Sequence, residues 1–268
     1  MPFRNLVVGL IRFSFPALSG FAKTPDTARE SEAYLYDTDR LERRFHLFEA
    51  LCLPSLLRQT DPDFTVIFLT GDALPDRYLQ RLSDLTAPLK ASLIVQGAPQ
   101  QIYPATKEAF NRVDRDGYSH RTTFRFDDDD GLSVHYIERL KARAKQLHRP
   151  DKPWTSFAIA SNRGFYLEIS PQGNKVFDVI ERLPLGLGLS MTTSIDRPGN
   201  VYQHNHRQIG QHRDTFGDMT HPNFIRTVHR DNDAGLNVNG LRDQMTQDQI
   251  AATLKSEFAF GLDTLLAV

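Results

Sequence analysis

The 268-residue chain has one cysteine, Cys52, and one tryptophan, Trp154. A lone cysteine excludes an intrachain disulfide, and a reducing, cytoplasmic compartment is the simplest expectation. An excess of charge of one sign is also missing. The 32 Lys and Arg against 33 Asp and Glu give a formal net charge of −1, without the basic bias that nucleic-acid binding draws on. No apolar run approaches the ~18 residues of a membrane-spanning helix. The apolar stretch near the start of "MPFRNLVVGLIRFSF" is cut off by Arg12 before it reaches the roughly 7–15 residues of a signal-peptide core. It reads as a buried strand. P-loop, Gly-x-Ser-x-Gly and His-Glu-x-x-His motifs are absent as well, which removes the best-marked phosphate-cradle, serine-hydrolase and zinc-protease classes. What is present, 40% hydrophobic and 24% charged residues, suffices for a globular core.

The first half alternates strand-like and helix-like segments. Leu41, Phe45, Phe48, Cys52 and Leu56 fall on one helical face, with Pro54 placed to kink or shorten that helix. "DFTVIFL" and "ASLIVQ" predict strands, "LPDRYLQRL" and "ATKEAFNRV" helices, "RTTFRF" a further strand, and residues 133–147 a helix with Tyr136, Ile137, Leu140, Ala144 and Leu147 inward. This alternation predicts an α/β fold with a mainly parallel sheet. In the second half, "WTSFAIASNRGFYLEIS" predicts two strands joined by a hairpin at Asn162-Arg163-Gly164. "LGLSMTTSI" and "FIRTVH" read as short strands, and residues 197–220 as a polar loop. Thr246 with Gln249 predicts a capping box opening a last helix, with Ile250, Leu254 and Phe258 inward.

Asp127, Asp128, Asp129 and Asp130 follow "RTTFRF" directly. A solvated acidic turn would use one or two aspartates, and four add repulsion. A calcium EF-hand aligned on Gly131 would put Phe126 at its first position and Ile137 at its twelfth, so that loop is excluded. A divalent-cation site fits better. Open α/β sheets bind ligands at the carboxyl ends of their strands. Carboxylates two apart can share one Mg²⁺ or Mn²⁺, whose other positions go to water and phosphate.

An apolar strand ending in Asp-x-Asp, here "FRFDDDD", after several βα units resembles a GT-A-type glycosyltransferase. The wider pattern of "RFS" at 12–14, "RLERRFHLFEALCLPSLLRQTDPDFTVIFLT" at 40–70, "RFDDDDGLS" at 125–133 and "TVHRDN" at 227–232 is similar to the rhamnosyltransferase family of bacterial polysaccharide loci. That resemblance implies a single GT-A-like, Rossmann-related domain over residues 1–268, with a mixed, mainly parallel sheet flanked by helices. Residues 1–131 would form the nucleotide-sugar half and 132–268 the acceptor side. It implies a metal-dependent transfer of a sugar from a nucleotide-diphosphate donor to a glycan or other hydroxyl acceptor, with Mn²⁺ or Mg²⁺ as cofactor. Asp127 and Asp129 would be the Asp-x-Asp pair, the first also reaching the donor ribose, and Asp130 a further acid. The register is open by one, so Asp128 could stand in for Asp129 and contact the donor. His229 is the best match to a third metal ligand, its alternative being an ordinary strand-end histidine.

Other residues admit two readings each. Arg12 ends the first strand and is expected at the donor, or else is a surface charge. Arg125 shares a strand face with Asp127 and either meets the donor or pairs with the acids. Arg43 and Arg44 suit a diphosphate, but helical arginines usually face solvent, and that is the expectation here. Trp154 is a core or hairpin residue more readily than a sugar platform. "HNH" at 204–206 lacks the companions of a zinc site and reads as a polar loop, and Gly186 and Gly188 of "LGLGLS" as a tight turn. Glu168 and Asp196 are candidate bases for an inverting reaction. Two other function classes stay open on these residues: a different metal-dependent phosphate enzyme, such as a nucleotidyltransferase or phosphoesterase, and a non-catalytic sugar- or cation-binding module.

Overall fold

The computed structural model describes residues 2–18, 27–152, 155–229 and 238–268. Strand β1 (Asn5–Arg12) is buried along its whole interior. An apolar run without alternation is what a central strand covered on both faces requires. Strands β2 (Thr65–Gly71), β3 (Ser92–Gly97) and β4 (His120–Asp127) join it in the order β4-β1-β2-β3, all parallel. After α1 (Ala28–Leu35), the first crossover runs through α2 (Thr38–Leu47), a π-helical turn (Phe48–Cys52) and α3 (Leu53–Leu57). The later crossovers are α4 (Asp76–Thr86) and α5 (Ile102–Asn111).

The helical face predicted for residues 41–56 is there: Leu41, Phe45, Phe48, Cys52 and Leu56 are each 2% exposed or less. Pro54 has no N–H to give to residue 50, and its ring crowds that carbonyl. The chain accommodates this with the wide turn at Phe48–Cys52 immediately before the proline.

The winding sets the place of the site. From β1 the chain steps outward to β2 and β3, then β4 returns to the other edge of β1. A crevice opens beyond the carboxyl ends of two strands at such a switch point. The register puts Arg12, the last residue of β1, opposite Asp127, the last of β4.

The second half contains β5 (Gly131–Leu132), α6 (Tyr136–Leu147), β6 (Phe157–Glu168), β7 (Lys175–Glu181), β8 (Ser190–Ser194), β9 (Asp214–Val228) and β10 (Gly240–Arg242). Strand β8 is antiparallel to β4 and extends the sheet to β6, which pairs antiparallel with β7 and parallel with β9. The sheet is mixed, its parallel part lying in the first half. The chain ends in α7 (Gln247–Glu257), opened by the Thr246–Gln249 capping box with Ile250, Leu254 and Phe258 buried, and α8 (Leu262–Ala267).

Two expectations need correction. The hairpin at Asn162-Arg163-Gly164 is instead a bulge inside the continuous β6, marked by register shifts around Arg163. Its glycine serves close approach, since the carbonyl and ring of Phe224 occupy the space a Cβ would take. Gly164→Ala is therefore expected to lower unfolding free energy by about 1–3 kcal/mol through overpacking, measured by urea denaturation. An unchanged midpoint would contradict that reading of the bulge. The polar stretch 197–220 holds a 3₁₀ turn (His206–Gln211) and the first part of β9. That part of β9 is exposed or half-buried along most of its length, so its sequence carries no apolar alternation. Trp154 lies outside the described residues. Among those described, no helix is long and apolar enough to cross a membrane.

Candidate active site

Alternation along β4 sends Phe124 and Phe126 into the core beneath α2 and α6 and turns Arg125 and Asp127 to the other face. The chain then reverses at the four aspartates, with the Asp130 N–H donating to the Asp127 carbonyl at 3.4 Å. It continues into β5, which pairs with β9. This turn gathers four carboxylates at the β1–β4 crevice, where Arg44 is shared by Asp128 and Asp129 while Asp127 and Asp130 have partners of their own.

Asp127 is the most open of the four, its side chain 31% exposed, and its Oδ1 accepts from Arg12 Nη2 at 2.8 Å. Asp128 is fully buried and gripped by Arg44 on both oxygens, through Nη2 and through Nε at 3.1 Å. Arg44 Nη1 also donates to Asp129 Oδ2 at 3.0 Å, and the same oxygen meets His229 Nε2 at 3.0 Å. Asp130 turns inward, where its Oδ1 accepts from the Thr227 N–H at 2.8 Å and so ties the turn to β9.

Burial alone would raise every one of these carboxyls. For Asp129, Arg44 and His229 outweigh it and hold the group well below the usual range. For Asp127, Arg12 and Arg125 outweigh burial and lower the group. Asp130 is pushed well above its ordinary value by burial and by its neighbours Asp129 and Asp127. Burial, with Asp129 and Asp127 adding to it, also raises Asp128, to about 6, against the pull of Arg44, so the protein's own cations offset the repulsion at Asp127 and Asp129 and not at the other two.

Arg44 corrects the sequence reading. It is not a solvated helical charge: its side chain is 13% exposed and spans Asp128 and Asp129. The usable signal was its spacing. Arg40 and Arg44 stand four apart beside the apolar face of Leu41 and Phe45, so both lie where α2 meets the sheet ends. Arg40 is likewise buried, donating to Ser14 Oγ at 3.2 Å and the Leu35 carbonyl at 3.0 Å. Arg226 on β9 was not singled out by its sequence context. Its Nη1 donates to Tyr166 Oη at 3.0 Å, and its charge reaches Asp130.

The remaining candidates divide. Arg125 packs against Gly186 and also stands over the ring of Tyr202. His206 stands near Arg125 and Asp127, and burial, helped by Arg125 and Arg207, lowers its imidazole to about 4, leaving it neutral near pH 7. His204 stacks on His212 with ring centroids 4.0 Å apart. Asp196 is exposed just beyond β8, whose end at Ser194 pairs with His120, the far end of β4 from Asp127. Glu168, at the end of β6, lines a cleft with Lys175, Arg242 and Asp243, a lining that includes none of the four aspartates.

Among the described residues no three His, Cys, Asp or Glu side chains are arranged to hold a metal ion. Two carboxylates suffice for Mg²⁺ or Mn²⁺ when phosphate and water complete the shell. Among the described residues, the ion pairs of Asp127 and Asp129 each engage a single oxygen, Oδ1 and Oδ2 respectively, so this pair fits a cation. Asp128 has both oxygens taken by Arg44, and Asp130, engaged through Oδ1, turns inward to β9.

Among solved structures, S. aureus TarS 1-349 is similar over 83% of this chain and 60% of its own, at 10% identity and a TM-score of 0.45. The chain spans 37% of a longer S. aureus TarS structure, at 10% identity and a TM-score of 0.42. A "putative nucleotide-diphospho-sugar transferase" from Desulfovibrio desulfuricans G20 is similar over 84% of this chain and 81% of its own, at 10% identity and a TM-score of 0.39. No curated protein matches the chain. A model of the family described as "Putative rhamnosyl transferase" matches residues 6–240, a span that contains the aspartate turn with Arg12, Arg44 and His229, and the chain belongs to this glycosyltransferase family.

Proposed function

We propose that the protein moves a sugar, rhamnose by the family's description, from a nucleoside-diphosphate donor to a hydroxyl of a glycan or other acceptor, with Mn²⁺ or Mg²⁺ bound by Asp127 and Asp129. The observation that supports this reading is the pair itself. Two carboxylates, each held on one oxygen among the described residues, stand at the β1–β4 switch point, where a nucleotide's phosphates are expected. A cation there supplies positive charge to the diphosphate as it departs.

The protein's own residues do the positioning. Arg12 fixes Asp127 across the strand register, and Arg44 and His229 together fix Asp129. Asp130 anchors the turn to β9 through Thr227, so the cation pair sits on a rigid support, as a preorganised site needs.

The test is a panel of nucleoside-diphosphate sugars incubated with the protein, with release of nucleoside diphosphate followed in Mn²⁺ and in EDTA. At least one donor should be turned over in Mn²⁺, with activity lost in EDTA and restored by added metal. Turnover of nucleoside triphosphates or phosphate monoesters in place of every nucleotide sugar would overturn the proposal.

A further inference from the structure

Arg125 differs from the arginines around it. Arg12 and Arg44 are each in direct ion pairs with the aspartates, and Arg226 donates to Tyr166. The Arg125 guanidinium, by contrast, has no hydrogen-bond acceptor among the described residues, although its charge acts on Asp127 and its side chain is only partly buried. Arg12 already holds the Asp127 Oδ1.

What Arg125 has instead is a mould. On one side is Gly186, where an added Cβ would lie 2.9 Å from the Arg125 Cζ, 3.0 Å from Nη2 and 3.1 Å from Nε. The guanidinium therefore rests on the glycine's backbone in space that any side chain would claim. The guanidinium also stands over the ring of Tyr202, the centroid 5.0 Å from Cζ, within cation–π range. That ring is fixed in turn, because Tyr202 Oη donates to the Leu10 carbonyl at 3.2 Å. The Arg125 backbone is held too, by the N–H of Gly188 at 3.1 Å and the carbonyl of Leu189 at 3.0 Å. The sequence "LGLGLS" thus wraps the arginine, and Gly188 takes a φ of +67°, which glycine adopts without strain.

An arginine packed against both Gly186 and Tyr202, with no carboxylate hydrogen-bonded to it among the described residues, keeps its donors for something that arrives. A planar fork of donors matches an oxyanion with two oxygens in reach, a phosphate or a carboxylate. Because the fork is already immobilised, little entropy is lost when the anion binds.

We infer that Arg125 is an oxyanion-binding residue that takes the diphosphate of the donor directly, alongside the cation and not through it. This rests on the donor reading above. It predicts that the free protein retains affinity for nucleoside diphosphate when the metal is withdrawn, and that this residual affinity belongs to Arg125.

Calorimetric titration in EDTA tests it. The probes are uridine, thymidine and guanosine diphosphates, inorganic pyrophosphate, and a uronic-acid oligosaccharide as a carboxylate source. Wild type is compared with Arg125→Lys, which keeps the charge and loses the fork, and with Gly186→Ala, which keeps Arg125 and disturbs its mould. Circular dichroism confirms folding of each. The expected result is diphosphate binding in wild type, weakened about 10-fold to 100-fold in Arg125→Lys, the usual range for a charged hydrogen bond, and weakened in the same direction in Gly186→Ala. Equal diphosphate affinity in all three proteins would overturn the inference and leave the donor reading standing. Pyrophosphate binding that depends on Arg125, with no affinity for any nucleotide, would support the oxyanion site and defeat the donor reading. Dependence on Arg125 seen only with the uronic acid would overturn the assignment to diphosphate, and no binding of any probe to wild type would overturn the inference.

Discussion

Arg44→Met is expected to destabilise the protein by about 3–5 kcal/mol, the range found when one partner of a buried ion pair is removed. The reason is Asp128. Its side chain is fully buried and its two oxygens face the Arg44 guanidinium. Methionine fills similar volume but leaves that carboxylate without its cation, and leaves Asp129 with His229 as its side-chain partner on Oδ2 among the described residues. At roughly 2–4 °C per kcal/mol for a chain of this size, the melting temperature should fall by about 10 °C. The double variant Arg44→Met with Asp128→Asn should regain part of that loss, because the orphaned charge is gone. A melting temperature within a degree of wild type in the single variant would show that the pair is not the internal support described here.

The second large effect is on turnover. Asp129→Asn keeps size and hydrogen bonding but removes the charge that Arg44 and His229 hold in place. With a donor in hand, its rate of nucleoside-diphosphate release in Mn²⁺ should fall at least about 100-fold, the scale of losing one group that stabilises developing charge. Asp130→Asn is the matched contrast. Its Oδ1 serves as acceptor for the Thr227 N–H, a role that a carboxamide oxygen repeats, so its turnover should stay within several-fold of wild type. Equal losses in both variants would mean that the four aspartates act as one charge cluster, without the division of roles that their partners indicate.

Much of this arrangement could be read from the residues, and what could not be read has physical causes. The unbroken burial of β1 and the one-sided helix at 41–56 follow from periodicity, which depends on local side-chain direction alone. The place of the aspartates followed from their position at a strand end. Their individual partners did not, since Arg44, Thr227 and His229 lie 84, 97 and 100 residues away from the aspartates they meet, and no local pattern encodes such pairings. Arg44 was misjudged because composition treats a helical arginine as solvated, while burial is decided by what the helix packs on. The hairpin expected at Asn162-Arg163-Gly164 failed for a related reason. Asn and Gly signal a turn locally, yet β7 and β9 flank β6 through that point and keep it extended. The "LGLGLS" stretch was read as a tight turn, and its glycines do allow close approach, but the object approached is Arg125, some sixty residues earlier.

The cation site proposed at Asp127 and Asp129 is one that a nucleoside diphosphate completes. The most direct measurement is the affinity of the preferred nucleoside diphosphate at increasing Mn²⁺, in wild type, Asp127→Asn and Asp129→Asn. Mn²⁺ is expected to tighten binding in wild type, and this enhancement to disappear in both variants. A wild-type affinity indifferent to Mn²⁺, or an enhancement that survives in both variants, would contradict it.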